Sequence, residues 1–137
     1  MSSDARVEAS VAIECDLDIV TARQRGRELA ASVGFTGTDQ TLIATAISEV
    51  ARNILVYAQR GVVTLRLLDE AGRRGIFVEA RDDGPGIADV ELALRDGYST
   101  SKSLGLGLPG SRRLMDDLAI DSALGRGTTV TMKRWVR

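Results

Sequence analysis

Two strand-like segments with a short connection between them constrain the fold of this chain more than any other feature. Val62–Leu68 and Ile76–Asp82 are apolar runs of strand length, and the connection between them is polar and contains glycine. That pattern is typical of a β-hairpin. A second pair, Leu118–Ala123 and Thr128–Val136, flanks Gly125-Arg126-Gly127. Because hairpins outnumber strand–helix–strand alternation, we expect an α/β protein of the α+β two-layer type, with a mixed sheet and its helices on one face.

The segment Thr38–Ala58 carries the strongest helical pattern in the chain. Its apolar residues recur at helical spacing and form one stripe, at Ile43, Ile47, Val50 and Ile54. Thr38 is predicted to be the N-cap, and Asp39 would lie in the first turn, where a negative charge is favourable. We therefore expect a core helix here.

The other predicted elements follow from the same periodicities. Alternation from Val7 to Ile13 predicts a strand, and Asp18–Val33 is predicted to be an amphipathic helix. After the first hairpin, the sequence predicts a short helix over Ala88–Arg95 and a loop of small residues over Gly97–Gly110. Pro109 is well placed near the first turn of a last helix. No repeat or linker divides the chain.

The composition excludes several classes of function. The 137 residues contain no histidine, which removes Ser-His-Asp and Cys-His nucleophile systems, histidine-ligated metals and a self-phosphorylating histidine. A formal net charge of -1 offers no global field for nucleic acid or an anionic membrane. The single Cys15 cannot form an intrachain disulfide, and no signal peptide or membrane span is recognised at the N-terminus. We expect one domain, residues 1–137, in a reducing cytoplasm.

Glu49 and Asn53 lie one turn apart on the predicted core helix, about a quarter turn from its apolar stripe. A carboxylate in this position can orient or deprotonate an attacking hydroxyl group. An amide oxygen beside it can ligate Mg²⁺ bound to phosphates. When such a pair stands alone, an ordinary solvated helix face is the more frequent explanation.

The segment Asp82-Asp83-Gly84-Pro85-Gly86 places a carboxylate at the end of a strand and two glycines after it. A carboxylate at a sheet edge can accept a hydrogen bond from an exocyclic amine such as that of adenine. Glycines let a flat base lie against the backbone. Taken alone, such a segment is more often an Asp-Gly turn than part of a nucleotide site.

Gly105-Leu106-Gly107-Leu108-Pro109-Gly110 matches the dinucleotide-binding pattern G-x-G-x-x-G. A Ser/Thr-rich loop precedes it instead of a strand, and no ribose-binding acid follows in a second strand, so the Rossmann interpretation is rejected. The glycines still allow backbone N–H groups to approach an anion at a helix start. The sequence thus favours a phosphate cradle, with a flexible surface loop as the alternative.

Taken together and in this order, these patterns resemble the nucleotide site of the GHKL ATPases. The N, G1, G2 and G3 boxes of that family are similar to Glu49-x-x-x-Asn53, Asp82-x-Gly84-x-Gly86, Gly105-x-Gly107 before a helix, and Gly127-Thr128-Thr129 in a strand. The resemblance extends from Thr41 to about Val130. It implies the Bergerat-type GHKL ATP-binding fold, with ATP and Mg²⁺ as cofactors.

The resemblance also implies roles for single residues. Glu49 would be the general base of the reaction, and Asn53 would be the Mg²⁺ ligand. Asp82 would anchor the adenine, with Gly84 and Gly86 forming the wall beside the base. The remaining implied contacts are Gly105, Gly107 and Gly110 along the phosphates, Lys102 as a lid cation, and Thr129 near the adenine.

Within the GHKL ATPases, the resemblance is to small stand-alone serine/threonine kinases of bacterial partner-switching pathways. The segments that look similar to the stressosome switch kinases are Ala44–Asn53, Gly105–Gly110 and Arg113–Asp116. The anti-sigma-factor kinases are the sister group of these kinases. The sequence shows neither the further domain of gyrase, mismatch-repair and heat-shock relatives nor the dimerisation helix of histidine kinases. The resemblance implies a stress-response kinase that phosphorylates a STAS-domain antagonist in the stressosome and then binds and activates a regulatory phosphatase.

Two other classes of function stay open on the sequence. An anti-sigma factor would sequester a sigma factor and use the kinase reaction as its release switch. A non-catalytic module would bind ATP only to set its shape. The sequence also leaves open whether the chain forms a homodimer.

Overall fold

The structure is a computed structural model that describes residues 6–86 and 113–137. Its elements are, in chain order, β1 (Arg6–Ile13), α1 (Asp16–Ser32), α2 (Gly37–Ala58), β2 (Gly61–Glu70), β3 (Arg73–Asp82), β4 (Asp117–Ser122) and β5 (Thr128–Trp135). The predicted helix over Ala88–Arg95, the loop over Gly97–Gly110 and the helix start at Pro109 lie outside the described residues. Both predicted hairpins, β2–β3 and β4–β5, are present.

The described strands form one sheet in the order β1-β2-β3-β5-β4. Each neighbouring pair is antiparallel, so the predicted mixed sheet is antiparallel throughout these strands. Two pairs are hairpins, whose strands must run in opposite directions. The pair β1–β2 is antiparallel because α1 and α2 together return the chain to the end where β1 stopped, and Ile13 therefore pairs with Gly61.

The hydrophobic core lies between one face of the sheet and the two helices, which confirms the predicted two-layer sandwich with helices on one face. Alternate strand residues such as Val63, Leu65 and Val78 are fully buried on this face. They belong to the same apolar cluster as Ile43 and Ile47 of α2. Full burial of a side chain of this size stabilises the fold by about 1.5–3 kcal/mol. The core therefore fixes α2 against the middle of the sheet.

Helix α2 begins two residues earlier than predicted. The Thr36 hydroxyl accepts a hydrogen bond from the backbone N–H of Asp39 at 3.2 Å, so Thr36 is the N-cap. The prediction of Thr38 as N-cap was wrong because Gly37 and Thr38 already have helical conformation. Asp39 lies in the first turn, as predicted, where its charge faces the positive end of the helix dipole.

By length and composition alone, α2 could cross a membrane. Its apolar stripe is instead buried inside the protein, since Ile43, Ile47 and Ile54 are at most 2% exposed. A core helix covered on one side by a sheet and on another by α1 has the same composition as a membrane span. We therefore interpret α2 as the core helix of this domain.

Candidate active site

The last turns of α2 pack against the end of β3 and the turn that follows it. A Cβ atom added to Gly84 would lie 2.6 Å from the Ala58 Cβ atom. One added to Gly61 would lie 2.9 Å from Cγ2 of Ile54 and 3.2 Å from Cβ of Asp82. Real Cβ atoms do not approach so closely, so these glycines allow the contact. The carboxyl end of α2 and Asp82 are thus direct neighbours.

Glu49 and Asn53 lie on α2 just before this contact. Along the helix axis, Asn53 is about 7 Å and Glu49 about 13 Å from Ala58, at 1.5 Å per residue. Both side chains are half-buried, and they lie beside fully buried neighbours such as Val50 and Ile54. The structure therefore places the amide and the carboxylate one and two further turns back from the Asp82 segment, on the helix whose last turn contacts that segment.

Asp82 ends β3 with its side chain on the helix side of the sheet, in phase with the buried Val78 and Ala80. Its Oδ1 accepts a hydrogen bond of 2.8 Å from the Gly84 backbone N–H. Burial raises the pKa of Asp82, the backbone N–H groups of Gly84 and Thr128 lower it, and the neighbouring Asp83 raises it, with an increase as the net result. Within the described residues, no arginine or lysine pairs with this carboxylate.

These features give Asp82 the chemistry of a ligand-binding carboxylate. A carboxylate has about four lone-pair positions, and backbone donors occupy only part of them. A structural carboxylate at this depth would ordinarily be paired with a cation. Asp82 can therefore accept a further hydrogen bond from an amine such as the exocyclic amine of adenine.

Backbone segments surround Asp82 closely because three glycines allow it. Gly127 has φ +81°, and a Cβ atom there would overlap the Asp82 carbonyl oxygen and lie 2.9 Å from the Asp83 Cα atom. Gly86 has φ +82°, and a Cβ atom there would overlap the Ala123 carbonyl oxygen. Gly84, Gly86 and Gly127 therefore present backbone atoms without side chains in the segments around Asp82.

The residue that meets Asp82 from β5 is Thr128, which the sequence reasoning missed. Asp82 pairs with Thr128, whereas Thr129 pairs with Arg81. Side chains alternate along a strand, so Thr129 points to the face of the sheet opposite to the Asp82 side chain. Thr128 lies in phase with the buried Val130 and Met132. The sequence alone does not show which of the two threonines meets Asp82, because that depends on the register of β5 against β3.

Thr129 lines an open cleft of about 360 Å³. Its two strand partners Arg81 and Asp121 also line this cleft, and so do Asp82 and Thr128. Both threonines therefore border the cleft that reaches Asp82, but only Thr128 is paired with Asp82 in the sheet.

Four predicted site residues lie outside the described residues, namely Lys102, Gly105, Gly107 and Gly110. The described residues contain no cluster of three or more His, Cys, Asp or Glu side chains that could hold a metal by themselves. Within the described part of the chain, a metal beside Asn53 would therefore find few protein ligands. Mg²⁺ is commonly held this way, by one or two protein oxygens together with phosphate oxygens and water.

Comparison with known proteins agrees with this geometry. The family described as histidine kinase-like ATPase domain matches residues 13–134. The chain is similar to the serine/threonine-protein kinase RsbT of Bacillus subtilis (strain 168), with 45% identity over 95% of this chain and 98% of the relative. It is also similar to two anti-sigma F factors. That of Caldanaerobacter subterraneus subsp. tengcongensis is 33% identical over 69% of this chain and 68% of the relative. That of Geobacillus stearothermophilus is 29% identical over 72% and 71%.

These matches confirm the predicted family and fold. The family match runs from the last residue of β1 nearly to the end of β5, so it includes α1, α2 and both hairpins. Membership of an ATPase family implies the use of ATP. The chain therefore belongs to the histidine kinase-like ATPase domain family, and it is an ATP-dependent serine/threonine protein kinase of that family.

Proposed function

We propose that this kinase transfers the γ-phosphate of Mg²⁺-bound ATP to a serine or threonine of a STAS-domain partner in a bacterial stress-signalling partner switch. It then binds and activates a phosphatase. The observation that supports the site is the packing of the last turn of α2, the helix that carries Glu49 and Asn53, against Gly84 beside Asp82. The partner class is supported by the 45% identity to RsbT over nearly the whole chain. The cytoplasm is the proposed location, because it supplies ATP and keeps Cys15 reduced.

Three of the described residues have a role in this proposed reaction. Asp82 accepts a hydrogen bond from the adenine amine and so fixes the nucleotide. Asn53 ligates Mg²⁺ through its amide oxygen, and this ion would neutralise charge on the transferred phosphoryl group. Glu49 orients the acceptor hydroxyl and takes its proton. Transfer of a phosphoryl group depends mainly on such positioning and needs no histidine.

The roles of the other predicted residues are part of the proposal. Gly105, Gly107 and Gly110 would line the phosphates with backbone N–H groups, and Lys102 would close over them. Their support is the spacing of the motif and its resemblance to the family. Thr128 is proposed in place of Thr129 as the contact near the adenine, because it pairs with Asp82.

The test is a transfer assay with γ-labelled ATP, Mg²⁺ and a lysate of the source organism. Wild type should label one STAS-domain protein, and Glu49→Gln should not. Glu70→Gln is the matched control, since it makes the same chemical change at an exposed hairpin residue. Calorimetry should find ATP bound by all three proteins. Equal labelling by wild type and Glu49→Gln would refute the role of Glu49, and ATP binding without any labelled protein would favour a non-catalytic, nucleotide-gated module.

A second candidate function is sequestration of a sigma factor. It is favoured by the similarity to anti-sigma F factors, one of them 33% identical. Affinity purification of the chain from its source organism separates the two functions. Recovery of a sigma subunit that is released when a STAS-domain protein is added would support sequestration. Recovery of a STAS-domain protein and a phosphatase without a sigma subunit would support the switch-kinase function.

A further inference from the structure

One arginine joins three segments at the end of the sheet opposite to Asp82. Arg134 of β5 has a side chain only 14% exposed. Its Nη2 donates a hydrogen bond of 2.8 Å to Oδ1 of Asp39, and its Nη1 donates one of 2.8 Å to the carbonyl oxygen of Leu114. Asp39 lies in the first turn of α2, and Leu114 lies just before β4. Arg134 therefore connects β5, the start of α2 and the chain that leads into β4.

The segment that contains Leu114 is itself bound to β5 by Asp116. The Asp116 backbone N–H donates to the Lys133 carbonyl oxygen at 2.9 Å. The Trp135 backbone N–H donates to Oδ2 of Asp116 at 2.8 Å, and the Arg137 guanidinium pairs with the same carboxylate. These contacts join the segment before β4 and the end of β5 into one unit. Arg134 is the group that connects this unit to α2.

The energetics of Arg134 favour a role in geometry over a role in stability. Its Nε is buried and has no hydrogen-bond partner within the described residues. Removing a guanidinium and a carboxylate from water costs several kcal/mol each, and their mutual attraction often only offsets that cost. A charge-assisted hydrogen bond is nevertheless strongly directional. Arg134 and Asp39 therefore specify a relative position more than they add net stability.

The position of α2 matters because it carries Glu49 between two fixed points. One point is the contact of Ala58 with Gly84, and the other is Asp39. The apolar core between them is non-directional, so the hydrogen bonds of Arg134 add a directional constraint at the start of the helix. The helix is about 28 Å long from Asp39 to Ala58, and Glu49 is about 13 Å from Ala58. If Asp39 shifted by 1 Å, Glu49 would therefore shift by roughly 0.5 Å, which is about the tolerance of a reactive geometry.

We propose that Arg134 is a positioning residue for phosphoryl transfer, which it serves by holding the first turn of α2 at a fixed place relative to β5 and so holding Glu49 at a fixed distance from Asp82. This inference rests on the kinase reaction proposed above. Asn53 lies closer to the Ala58 contact and would shift by only about half as much. Loss of Arg134 should therefore impair the transfer step more than nucleotide binding.

The test compares transfer kinetics in variants that keep the fold. Arg134→Met alone leaves Asp39 buried without its partner, which can be strongly destabilising. The double variant Arg134→Met with Asp39→Asn removes both charges and should stay folded. We expect kcat to fall about tenfold or more, because a misplacement of 1 Å can cost about a hundredfold, while KM for ATP changes less than about threefold. Arg25→Met, which breaks an exposed ion pair with Glu28 on α1, is the control and should leave both unchanged.

Two further variants distinguish positioning from a general structural role. Arg134→Lys keeps one charged donor and should restore part of kcat. In a Glu49→Asp background, which keeps a carboxylate on a shorter side chain, the double change at Arg134 and Asp39 should cause little additional loss, because it acts through the position of residue 49. A full additional loss, or an equal rise in KM and fall in kcat, would overturn the inference. So would wild-type kinetics in the double variant. If wild type itself transfers no phosphate, the proposed function fails, and the inference fails with it.

Discussion

The two ends of the sheet are closed by different physical means. At the end of β3, glycine backbones approach each other and surround Asp82, which has only backbone donors among its described partners. At the opposite end, Arg134 and Arg137 pair with Asp39 and Asp116. One end is thus closed by close packing of bare backbone and the other by ion pairs.

Asp82 at one end and Asp116 at the other show what this difference means. Burial raises the pKa of Asp82, and the backbone donors do not fully compensate. Burial also raises the pKa of Asp116, but the Trp135 backbone N–H, Arg137 and Arg134 outweigh it and the net pKa is lowered. Asp116 is paired with an arginine of this chain, whereas Asp82 can accept further hydrogen bonds. This difference supports the proposal that the Asp82 end binds a ligand, while the ion-paired end contributes to the architecture.

The largest expected effect is that of a side chain at Gly127. Gly127→Ala should lower the free energy of unfolding by about 3 kcal/mol, because positive φ is strained for alanine and its Cβ would overlap the Asp82 carbonyl. Gly125→Ala is the matched control, since Gly125 has φ +79° and nothing within 4 Å of an added Cβ. It should cost only about 1 kcal/mol. Urea unfolding of both variants measures the difference, and equal losses would show that close packing at Asp82 is unimportant.

Asp82→Asn should have the next largest effect, on binding. Loss of a charged acceptor costs about 1.5–3 kcal/mol, so ATP affinity in calorimetry should fall roughly 10- to 100-fold. Stability should be unchanged or higher, because burial already disfavours the charged form. As pH is lowered, the ATP affinity of wild type should begin to fall at a pH above the ordinary Asp pKa, because the raised pKa of Asp82 lets it be protonated there. The Asn variant should lack this pH dependence, and an unchanged ATP affinity would remove the assignment of Asp82.

Asp116→Asn should show the opposite behaviour, a loss of stability. The pKa of Asp116 is lowered in the folded state, so its charge stabilises the fold above the ordinary Asp pKa of about 3.9. That stability is lost as pH falls below this value through the lower pKa of the folded state. We expect a loss of about 1.5 kcal/mol at neutral pH that disappears in strong acid. Thermal unfolding over a pH series checks this, and a constant difference at all pH values would contradict it.

The smallest expected effect concerns the N-cap at the ion-paired end. Thr36→Ala should lower the free energy of unfolding by about 1 kcal/mol, because it leaves the Asp39 backbone N–H without its hydroxyl partner. Thr38→Ala is the matched control and should have almost no effect, because Thr38 lies within the first turn. A larger loss for Thr38→Ala than for Thr36→Ala in urea unfolding would restore the N-cap predicted from the sequence.

Much of the fold could be predicted because its signals are local. The alternation of β1, the stripe of α2 and the glycine-bearing connections each lie within about 20 residues, and each reflects one buried face. The N-cap was misplaced because Thr36 and Thr38 have the same capping chemistry, and only the backbone conformation distinguishes them. The boundaries of a helix depend on such details more than on its periodicity.

The candidate site was predictable in part for the same reason. Glu49 and Asn53 share a helix face by spacing alone, and Asp82 ends a strand that the sequence already outlines. Thr128 was missed because the choice between Thr128 and Thr129 depends on the register of β5 against β3. The roles of Lys102, Gly105, Gly107 and Gly110 stay predictions, since these residues lie outside the described residues.

By itself, the sequence determined the type and order of the elements, the two hairpins and the ordered motifs of an ATP site, because periodicity and turn chemistry act between residues close in the chain. Only the tertiary structure decided which face Thr129 occupies, that Asp82 lacks a cation within the described residues, and that Arg134 binds Asp39. Those two residues are 95 positions apart. No local pattern encodes such a contact, because it depends on how the helix layer is placed on the sheet.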